Sequence, residues 1–276
     1  MSSTPDRDYI LGTHDEEIER LGLQHRVWRP YAWECWRTAG VTAGSRVVDL
    51  GAGPGYATVD LAEIVTPCGE VFAIERSAQF LAHAKNACAQ RSLGQVQFQE
   101  ADVMLDDLRP RDMDAVWCRW LASFVSDPAL LVRKVAGMLR PGGRAMFHEY
   151  FDYAPWRAAP RRPALEEFTR MVMQSWRDAG GDPDVAVNFP PFLEAAGLKV
   201  IHKSPIVFAI GPDDYRWQWP KAFIKSGLDR LVSLGVADEG FAEEVRREFA
   251  EGEADPTAIM MTPIVLEIIA EKAGVH

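Results

Sequence analysis

Residues 47–55 read V-V-D-L-G-A-G-P-G and place a glycine-rich turn between a β-branched run and a helical pattern. Glycine lets a backbone turn tightly, and it lets a ligand approach the chain without a Cβ atom in the way. Because Tyr56 stands where a dinucleotide motif has its third glycine, the spacing is G-x-G-x-G, with Asp49 preceding it. The pattern predicts a ligand site at the end of a strand, although a tight turn that binds nothing stays an alternative.

Acidic residues stand at the ends of the next two predicted strands. Glu75 lies 24 residues beyond Gly51, where a carboxylate can accept both hydrogen bonds of a ribose diol. Asp102 follows the third strand, where its carboxylate can accept from an exocyclic adenine amine, with Val103 beside the ring. Arg76 is placed to stack on the adenine face. These positions favour a nucleoside ligand, and the structural alternative for each is a solvated charge at a strand end.

The elements that position these residues alternate between strand and helix. Buried strand patterns alternate with helical patterns, which is typical of a parallel α/β sheet with right-handed crossovers. Before them the chain is mostly helical, and Pro30 is expected to break the first helix or start the next. After them come helical insertions and two further strand patterns. The predicted strands are 46–50, 71–74, 96–99, 114–118, 144–149, 198–210 and 263–269, and the predicted helices are 9–38, 56–65, 77–91, 128–139, 164–178, 192–196 and most of 213–252.

Over roughly residues 44–150 these segments resemble the class I S-adenosylmethionine-dependent methyltransferases, and most of all the ubiquinone/menaquinone-biosynthesis-like small-molecule group. The resemblance rests on V-V-D-L-G-A-G-P-G, A-I-E-R-S, E-A-D-V, D-A-V-W-C-R-W and L-R-P-G-G-R. It implies a Rossmann-like, seven-stranded, mostly parallel sheet with helices on both faces and helical lid insertions. We expect a single domain over 1–276, with an N-terminal cap (1–43), a cofactor-binding core (44–150) and substrate or lid insertions with the final strands (151–276).

The resemblance also implies the cofactor, S-adenosyl-L-methionine, and a role for each matching residue. It places the turn glycines at the methionine part, Glu75 at the ribose, and Asp102 with Val103 at the adenine. Residues of the fourth strand and of the N-terminal helices complete the methionine site, where Gln24 is expected to donate to the carboxylate. The predicted cofactor residues are Tyr9, Gln24, Gly51, Gly53, Glu75, Arg76, Asp102, Val103, Arg119 and Trp120.

The chemistry that follows is the alignment of a nucleophile with an activated methyl group. A base is needed when the nucleophile arrives protonated, and the candidates are His148 and Glu149 at the end of the fifth strand. Alternation sends neighbours to opposite faces, so one of the two is expected to point into the crevice. A satisfied buried histidine is the alternative for His148. The residues predicted to wall the substrate are Tyr150, Tyr153, Trp217 and Trp219.

Composition limits the partners. The formal net charge of −10 repels phosphate backbones and anionic membranes, so we expect a small-molecule substrate and neither nucleic acid nor membrane as a partner. The four cysteines lack a CxxC pair and no histidines cluster at metal spacing, so no metal is predicted and the thiols are expected to be reduced in the cytoplasm. The first residues lack the apolar region of a signal peptide, and no apolar window reaches membrane length. The oligomeric state stays open, a homodimer included.

The sequence therefore predicts methyl transfer from S-adenosylmethionine to a small, partly apolar molecule by in-line displacement. Two alternatives stay open. One is a nicotinamide-dependent oxidoreductase on a similar sheet, which Tyr56 in place of the third glycine disfavours. The other is a cofactor-binding protein of the same fold without transferase activity. The substrate and its accepting atom (O, N, C or S) are not written in any motif.

Overall fold

The structure is a computed structural model that describes residues 15–274 of the chain. Within that range the chain forms ten strands and eight α-helices. The strands are β1 (Arg46–Leu50), β2 (Glu70–Glu75), β3 (Val96–Glu100), β4 (Met113–Arg119), β5 (Leu139–Asp152), β6 (Arg157–Ala159), β7 (Leu198–Ile206), β8 (Ala209–Ile210), β9 (Ile259–Met261) and β10 (Ile264–Lys272). The helices are α1 (Asp15–Thr38), α2 (Tyr56–Val65), α3 (Ala78–Gln90), α4 (Pro128–Met138), α5 (Pro163–Asp178), α6 (Phe189–Ala195), α7 (Gln218–Ser233) and α8 (Glu239–Ala254).

The main sheet has seven strands in the order β3-β2-β1-β4-β5-β10-β7. The first five strands in this order, β3, β2, β1, β4 and β5, are mutually parallel. Strand β10 runs antiparallel to both β5 and β7. The predicted α/β class with a seven-stranded, mostly parallel sheet is thereby confirmed. The strand order reverses between β1 and β4, and open sheets of this kind bind ligands in the crevice beyond such a reversal.

A second, small sheet with the order β6-β9-β8 was not predicted from the sequence. Its strands pair antiparallel, and Met261 lies between Arg157 of β6 and Ala209 of β8. Strands of two or three residues are too short to leave a periodic signal. The small sheet ties together the segments that follow β5 and β7 and the segment that precedes β10.

The buried apolar residues form three layers. On one face of the main sheet, α1 and α2 pack against it around Trp36 and Trp117. On the opposite face, α4 and α6 pack around Leu131, Phe147 and Phe189. The third layer, which we call the lid layer, consists of α5, α7, α8 and the small sheet, and its aromatic residues meet the ends of β4 and β5. The lid layer therefore covers the crevice that the strand reversal creates.

Several predicted boundaries differ from the structure. The strand predicted over 198–210 divides into β7 and β8, which lie in different sheets, and the helical stretch predicted over 213–252 divides into α7 and α8. Helix α1 continues through Pro30 to Thr38, although a break was expected there. A proline inside a helix removes one backbone hydrogen bond, and here the fully buried side chains of Trp28, Ala32 and Trp36 hold the helix on both sides of it. Strand β5 is longer than predicted at both ends. Its pairing with β10 extends to Asp152, and at the other end the pairing of Leu139 with Met113 of β4 includes the Pro-Gly-Gly sequence in the strand. None of the helices between residues 15 and 274 has the length and apolar character needed to cross a bilayer.

Candidate functional site

A cavity of about 600 Å³ opens at the carboxyl ends of β1, β2 and β4, under helix α1. All the residues predicted to bind a cofactor line it, except Tyr9, which lies outside the described residues. Among the other lining residues, Leu21, His25 and Asp49 have no role predicted from the sequence. The predicted residues that line the cavity are Gln24, Gly51, Gly53, Glu75, Arg76, Asp102, Val103, Arg119 and Trp120.

The glycine turn forms the floor of the cavity, and its positions require glycine for different structural reasons. Gly51, Gly53 and Gly55 have φ values of +72°, +55° and +88°, in the left-handed region that glycine tolerates best. A Cβ on Gly55 would lie 2.5 Å from the Cβ of Ala84, so this glycine permits the close packing of α2 on α3. A Cβ on Gly53 would meet nothing within 4 Å and would stand in the cavity. The missing side chain of Gly53 is therefore space left for a ligand.

Glu75 and the residues after β3 form the end of the cavity away from α1. The Glu75 carboxylate accepts hydrogen bonds from the backbone N–H groups of Gly53 (3.0 Å) and Ser77 (2.9 Å). Burial raises the pKa of Glu75, and the backbone donors oppose part of that rise. Asp102 accepts from the Met104 N–H at 2.8 Å, which closes the loop that holds the buried Val103 against the cavity.

Asp49 is a buried acid that the sequence flagged before the first glycine without assigning it a role. Its side chain lines the cavity, is 2% exposed, and accepts a hydrogen bond from the Thr58 hydroxyl at 2.6 Å. Burial raises the pKa of Asp49 to about 6, although the hydrogen bond from Thr58 by itself lowers that pKa. An acid inside an otherwise apolar strand was the signal that could have identified it, because buried carboxylates are rare without a purpose.

Arg119 brings a buried guanidinium to the cavity. Its Nη2 lies 3.3 Å from Nδ1 of His25, and its Nη1 has no hydrogen-bond partner among the described residues. Burial lowers the pKa of Arg119 to about 10, and the group stays charged at neutral pH. A buried donor without a partner costs free energy, so Nη1 is a place where an anionic or polar ligand group would be bound.

His25 is held in turn by Asp60 on α2. The His25 Nε2 lies 3.0 Å from Asp60 Oδ2, and Arg29 and Trp33 also donate to that carboxylate. Burial alone would raise the pKa of Asp60, but these donors outweigh it and hold the pKa well below its usual range. Burial also lowers the pKa of His25, so the ring is neutral, with Nε2–H donating to Asp60 and Nδ1 accepting from Arg119.

Gln24 links the cavity to the lid layer. Its Oε1 accepts from Arg20 Nη1 at 3.0 Å and from the indole N–H of Trp219 at 3.3 Å. Because the oxygen is engaged twice, the amide NH₂ is the part of Gln24 that is left to donate to a ligand. The donor role of Gln24 toward a ligand stays a prediction.

Four aromatic rings, which we call the aromatic wall, lie between the cavity and the rest of the lid layer. The Trp120 ring is stacked on Tyr150 (centroids 5.5 Å apart) and on Trp219 (6.0 Å), and Trp28 meets the Trp120 and Trp219 rings edge-on at 5.0 and 5.1 Å. Trp120 has a φ of +52°, a conformation that bulky residues rarely adopt and that is concentrated at functional sites.

Behind the wall lies a second cavity of about 10 Å³, room for one water molecule. Three of the four residues predicted to bind substrate, Tyr150, Tyr153 and Trp219, line it. Trp217 is not among its lining residues, because its ring packs against Phe249 of α8 at 5.5 Å. The cavity that these three residues line is therefore almost filled by aromatic rings in this conformation, and their role toward a substrate stays a prediction.

His148 and Glu149 are not among the residues that line these two cavities, so the expectation that one of them faces the crevice needs correction. Alternation does send them to opposite faces, but His148 Nε2 bonds to Glu267 at 2.7 Å, and the Trp117 ring, 4.8 Å away, lines the cavity instead. Glu149 accepts from the backbone N–H groups of Leu121 and Ala122, both at 2.9 Å. It holds the turn after β4, and burial raises its pKa to about 8.

Comparison with known proteins places the central part of the chain in a described family. The model of the methyltransferase domain family matches residues 48–147. An uncharacterized methyltransferase, YcgJ of Bacillus subtilis (strain 168), is 26% identical over 132 residues, which are 48% of this chain and 48% of the relative. The ubiquinone/menaquinone biosynthesis C-methyltransferase UbiE of Hahella chejuensis is 27% identical over 146 residues, 52% of this chain and 57% of the relative. The chain thus spans about half the length of the curated relatives it matches.

Solved structures with the same fold extend over more of the chain. A crystal structure of a methyltransferase-like protein from Bacillus halodurans superposes with a TM-score of 0.59 at 15% identity, covering 87% of this chain and 97% of that one. The [4+2]-cyclase SpnF superposes with a TM-score of 0.54 at 19% identity, covering 87% and 80%. At these identities the likeness concerns the fold alone, and a chain with this fold is named for a cyclisation.

Proposed function

Because the chain belongs to the class I S-adenosylmethionine-dependent methyltransferases, in the group that includes the ubiquinone/menaquinone-biosynthesis enzymes, we propose that it transfers a methyl group from S-adenosylmethionine to a small organic molecule by in-line displacement. One observation carries the proposal. The glycine turn, Glu75 and Arg119 line one cavity at the strand reversal, and Nη1 of Arg119 has no hydrogen-bond partner among the described residues. These are the groups that the parts of this cofactor require.

The residues of the cavity fit the cofactor from end to end. Glu75, half-buried and held by two backbone donors, would accept from the ribose diol. Asp102 and Val103 would bind the adenine, and Gly53 leaves room for the methionine part. The unpartnered Nη1 of Arg119 would donate to the methionine carboxylate, with the amide of Gln24 as a second donor.

When bound, the cofactor supplies an activated methyl group on a cationic sulfur. The chain contributes position and the exclusion of water. Trp120, whose ring reaches both the cofactor cavity and the aromatic wall, would bring the acceptor next to the methyl group. Neither His148 nor Glu149 takes part in this step, because the first is hydrogen-bonded to Glu267 and the second to the turn after β4. We expect an acceptor that needs no base from these two residues.

A specific observation favours a second candidate, a protein that binds the cofactor without transferring its methyl group. The space behind Trp120 has a volume of about 10 Å³, too small for an organic acceptor unless the aromatic wall moves. The cyclase among the structures of this fold is a reminder that the fold admits other reactions. A nicotinamide-dependent oxidoreductase is less favoured, since Tyr56 stands where that motif needs glycine, and its hydroxyl donates to the Ile18 carbonyl at 3.0 Å.

The proposal is tested first by binding. Calorimetric titration of the full chain with S-adenosylhomocysteine, and separately with NADH, should give saturable binding of the first ligand and none of the second. Glu75→Ala should weaken S-adenosylhomocysteine by about 1–3 kcal/mol, roughly 5- to 150-fold in Kd, through the loss of hydrogen bonds to a charged group. Glu100→Ala is the matched control, because Glu100 is the register partner of Glu75 on β3 but is exposed and lies outside the cavity.

The choice between transferase and binding protein needs a second measurement. Incubation with S-adenosylmethionine carrying a labelled methyl group and a panel of small acceptors should transfer label to one acceptor class. Tight cofactor binding with no transfer to any acceptor, under conditions in which the lid layer opens, would favour the second candidate. NADH binding with no S-adenosylhomocysteine binding would overturn both.

The location and the kind of substrate that we propose are those predicted from the sequence. We place the protein in the cytoplasm, since Cys35, Cys68, Cys88 and Cys118 are all free thiols. The substrate is proposed to be a small molecule rather than a nucleic acid, which agrees with the net charge of −10.

A further inference from the structure

A second group of chemically capable side chains lies outside the cavity, between α1 and the main sheet. Cys35 of α1, His148 of β5 and Glu267 of β10 each present one ligand atom, and these atoms lie within 4.8 Å of one another. Cys35 and His148 are fully buried, and Glu267 is 7% exposed. Thiolate, imidazole and carboxylate are the side-chain groups that bind zinc in proteins.

The charge of the group is unusual for a protein interior. Glu267 is an almost buried carboxylate whose ion-pair partners in the described chain are His148 (2.7 Å) and His202 (3.0 Å), with no lysine or arginine. Burial of a carboxylate is costly unless a positive charge compensates it.

We propose that Cys35, His148 and Glu267 form a binding site for a divalent transition-metal ion of the zinc type. A doubly charged ion bound by one thiolate and one carboxylate leaves the buried site electrically neutral. His202, whose Nε2 contacts Glu267 Oε1, would hold the second carboxylate oxygen and so orient the ligand, as residues around metal ligands commonly do. The His202 side chain is 37% exposed, which marks the side from which an ion enters.

Binding of the ion changes the protonation of two ligands. The Cys35 thiol releases its proton to solvent when its sulfur binds the ion. The proton between His148 Nε2 and Glu267 Oε2 moves to Nδ1, which has no partner among the described residues, and the ring stays neutral. The two ligand atoms then separate from 2.7 Å to roughly 3.3 Å, the spacing around a tetrahedral ion.

Such an ion would fasten the N-terminal helix to two strands from the second half of the chain. Helix α1 also carries Gln24 and His25, which line the cofactor cavity. The site is separate from the cavity and does not depend on the proposed function. It belongs to the fold, and it would stabilise the cap through which the cavity is formed.

The test uses the untagged full chain, reduced and stripped of metal with a chelator, and titrated with Co²⁺. We expect saturation at about one ion per chain, with a thiolate-to-cobalt charge-transfer band and the release of about one proton. Cys35→Ser should abolish the band, and Glu267→Gln should weaken binding at least tenfold. Cys88→Ser should change neither, because Cys88 is a buried thiol on α3, away from these ligands.

Absence of saturable Co²⁺ binding by the wild-type chain would overturn the proposal and leave a plain His148–Glu267 pair between β5 and β10. Survival of the charge-transfer band in Cys35→Ser, or its loss in Cys68→Ser, would overturn it as well, since Cys68 is the exposed thiol. If Cys35→Ser does not fold, the wild-type melting temperature decides. It should rise with Zn²⁺ and not with Mg²⁺, which prefers oxygen ligands.

Discussion

At Gly53, an added methyl group should weaken ligand binding without a steric clash in the unliganded chain. A Cβ there meets nothing within 4 Å, so alanine fits the unliganded chain without a clash. Gly51 is less suitable, because its Cβ would lie 3.1 Å from the Leu121 side chain and would disturb the turn itself. We therefore choose Gly53→Ala as the perturbation.

Two costs are expected, and they differ in kind. The φ of +55° places alanine in the left-handed region, which lowers the free energy of unfolding by about 1–2 kcal/mol. The added methyl group occupies the space left for the ligand, and overpacking of a fitted contact costs about 1–3 kcal/mol, roughly a 5- to 150-fold increase in Kd.

Gly197→Ala is the matched control. Gly197 has a φ of +72°, a Cβ on it would meet nothing within 4 Å, and it follows the end of α6, away from the cavity. Urea unfolding should show a similar loss of stability in both variants. Titration with S-adenosylhomocysteine should show weaker binding in Gly53→Ala alone. Equal affinity of wild type and Gly53→Ala would refute the assignment of the turn to the ligand.

Three further predictions follow from the site. Arg119→Leu should raise the Kd of S-adenosylhomocysteine at least tenfold, as measured by calorimetry. It should change the Kd of 5′-methylthioadenosine, which lacks the carboxylate, by no more than about twofold. Glu149 has a folded-state pKa raised by burial to about 8, so its contribution to stability is full below the unfolded pKa and is lost as pH rises toward 8. Urea unfolding at pH 5 and pH 8 should show a fall on the order of 1–4 kcal/mol that is smaller in Glu149→Gln. Trp219→Ala removes a ring from the aromatic wall and the bond to Gln24, and should lower the free energy of unfolding by about 3–5 kcal/mol, measured by the same urea unfolding.

Much of the cofactor site was predictable from the sequence because its residues follow strand ends. A parallel strand directs its carboxyl end to the same sheet edge as its neighbours, so Gly51, Glu75 and Asp102 meet once three strands are recognised. The predicted helix 77–91 likewise begins at the residue that caps α3, since the Ser77 hydroxyl accepts from the Phe80 N–H. These predictions depend on local order along the chain.

The predictions that went wrong concern side chains whose direction depends on distant partners. His148 and Glu149 lie on β5 as predicted, although the strand continues past them to Asp152. Glu267, more than a hundred residues away, binds the first, and the turn after β4 binds the second. Alternation assigns a residue to a face of the sheet and does not tell what covers that face.

The sequence by itself determined the α/β class, the glycine turn and the residues at the strand ends, since periodicity and local motifs encode them. The tertiary structure alone decided that aromatic rings pack closely around Trp120, that Arg119 is held through His25 by Asp60, and that Cys35 lies beside His148 and Glu267. The physical reason is that strand pairing and helix packing bring together residues from distant parts of the chain, and no spacing along the sequence records those contacts.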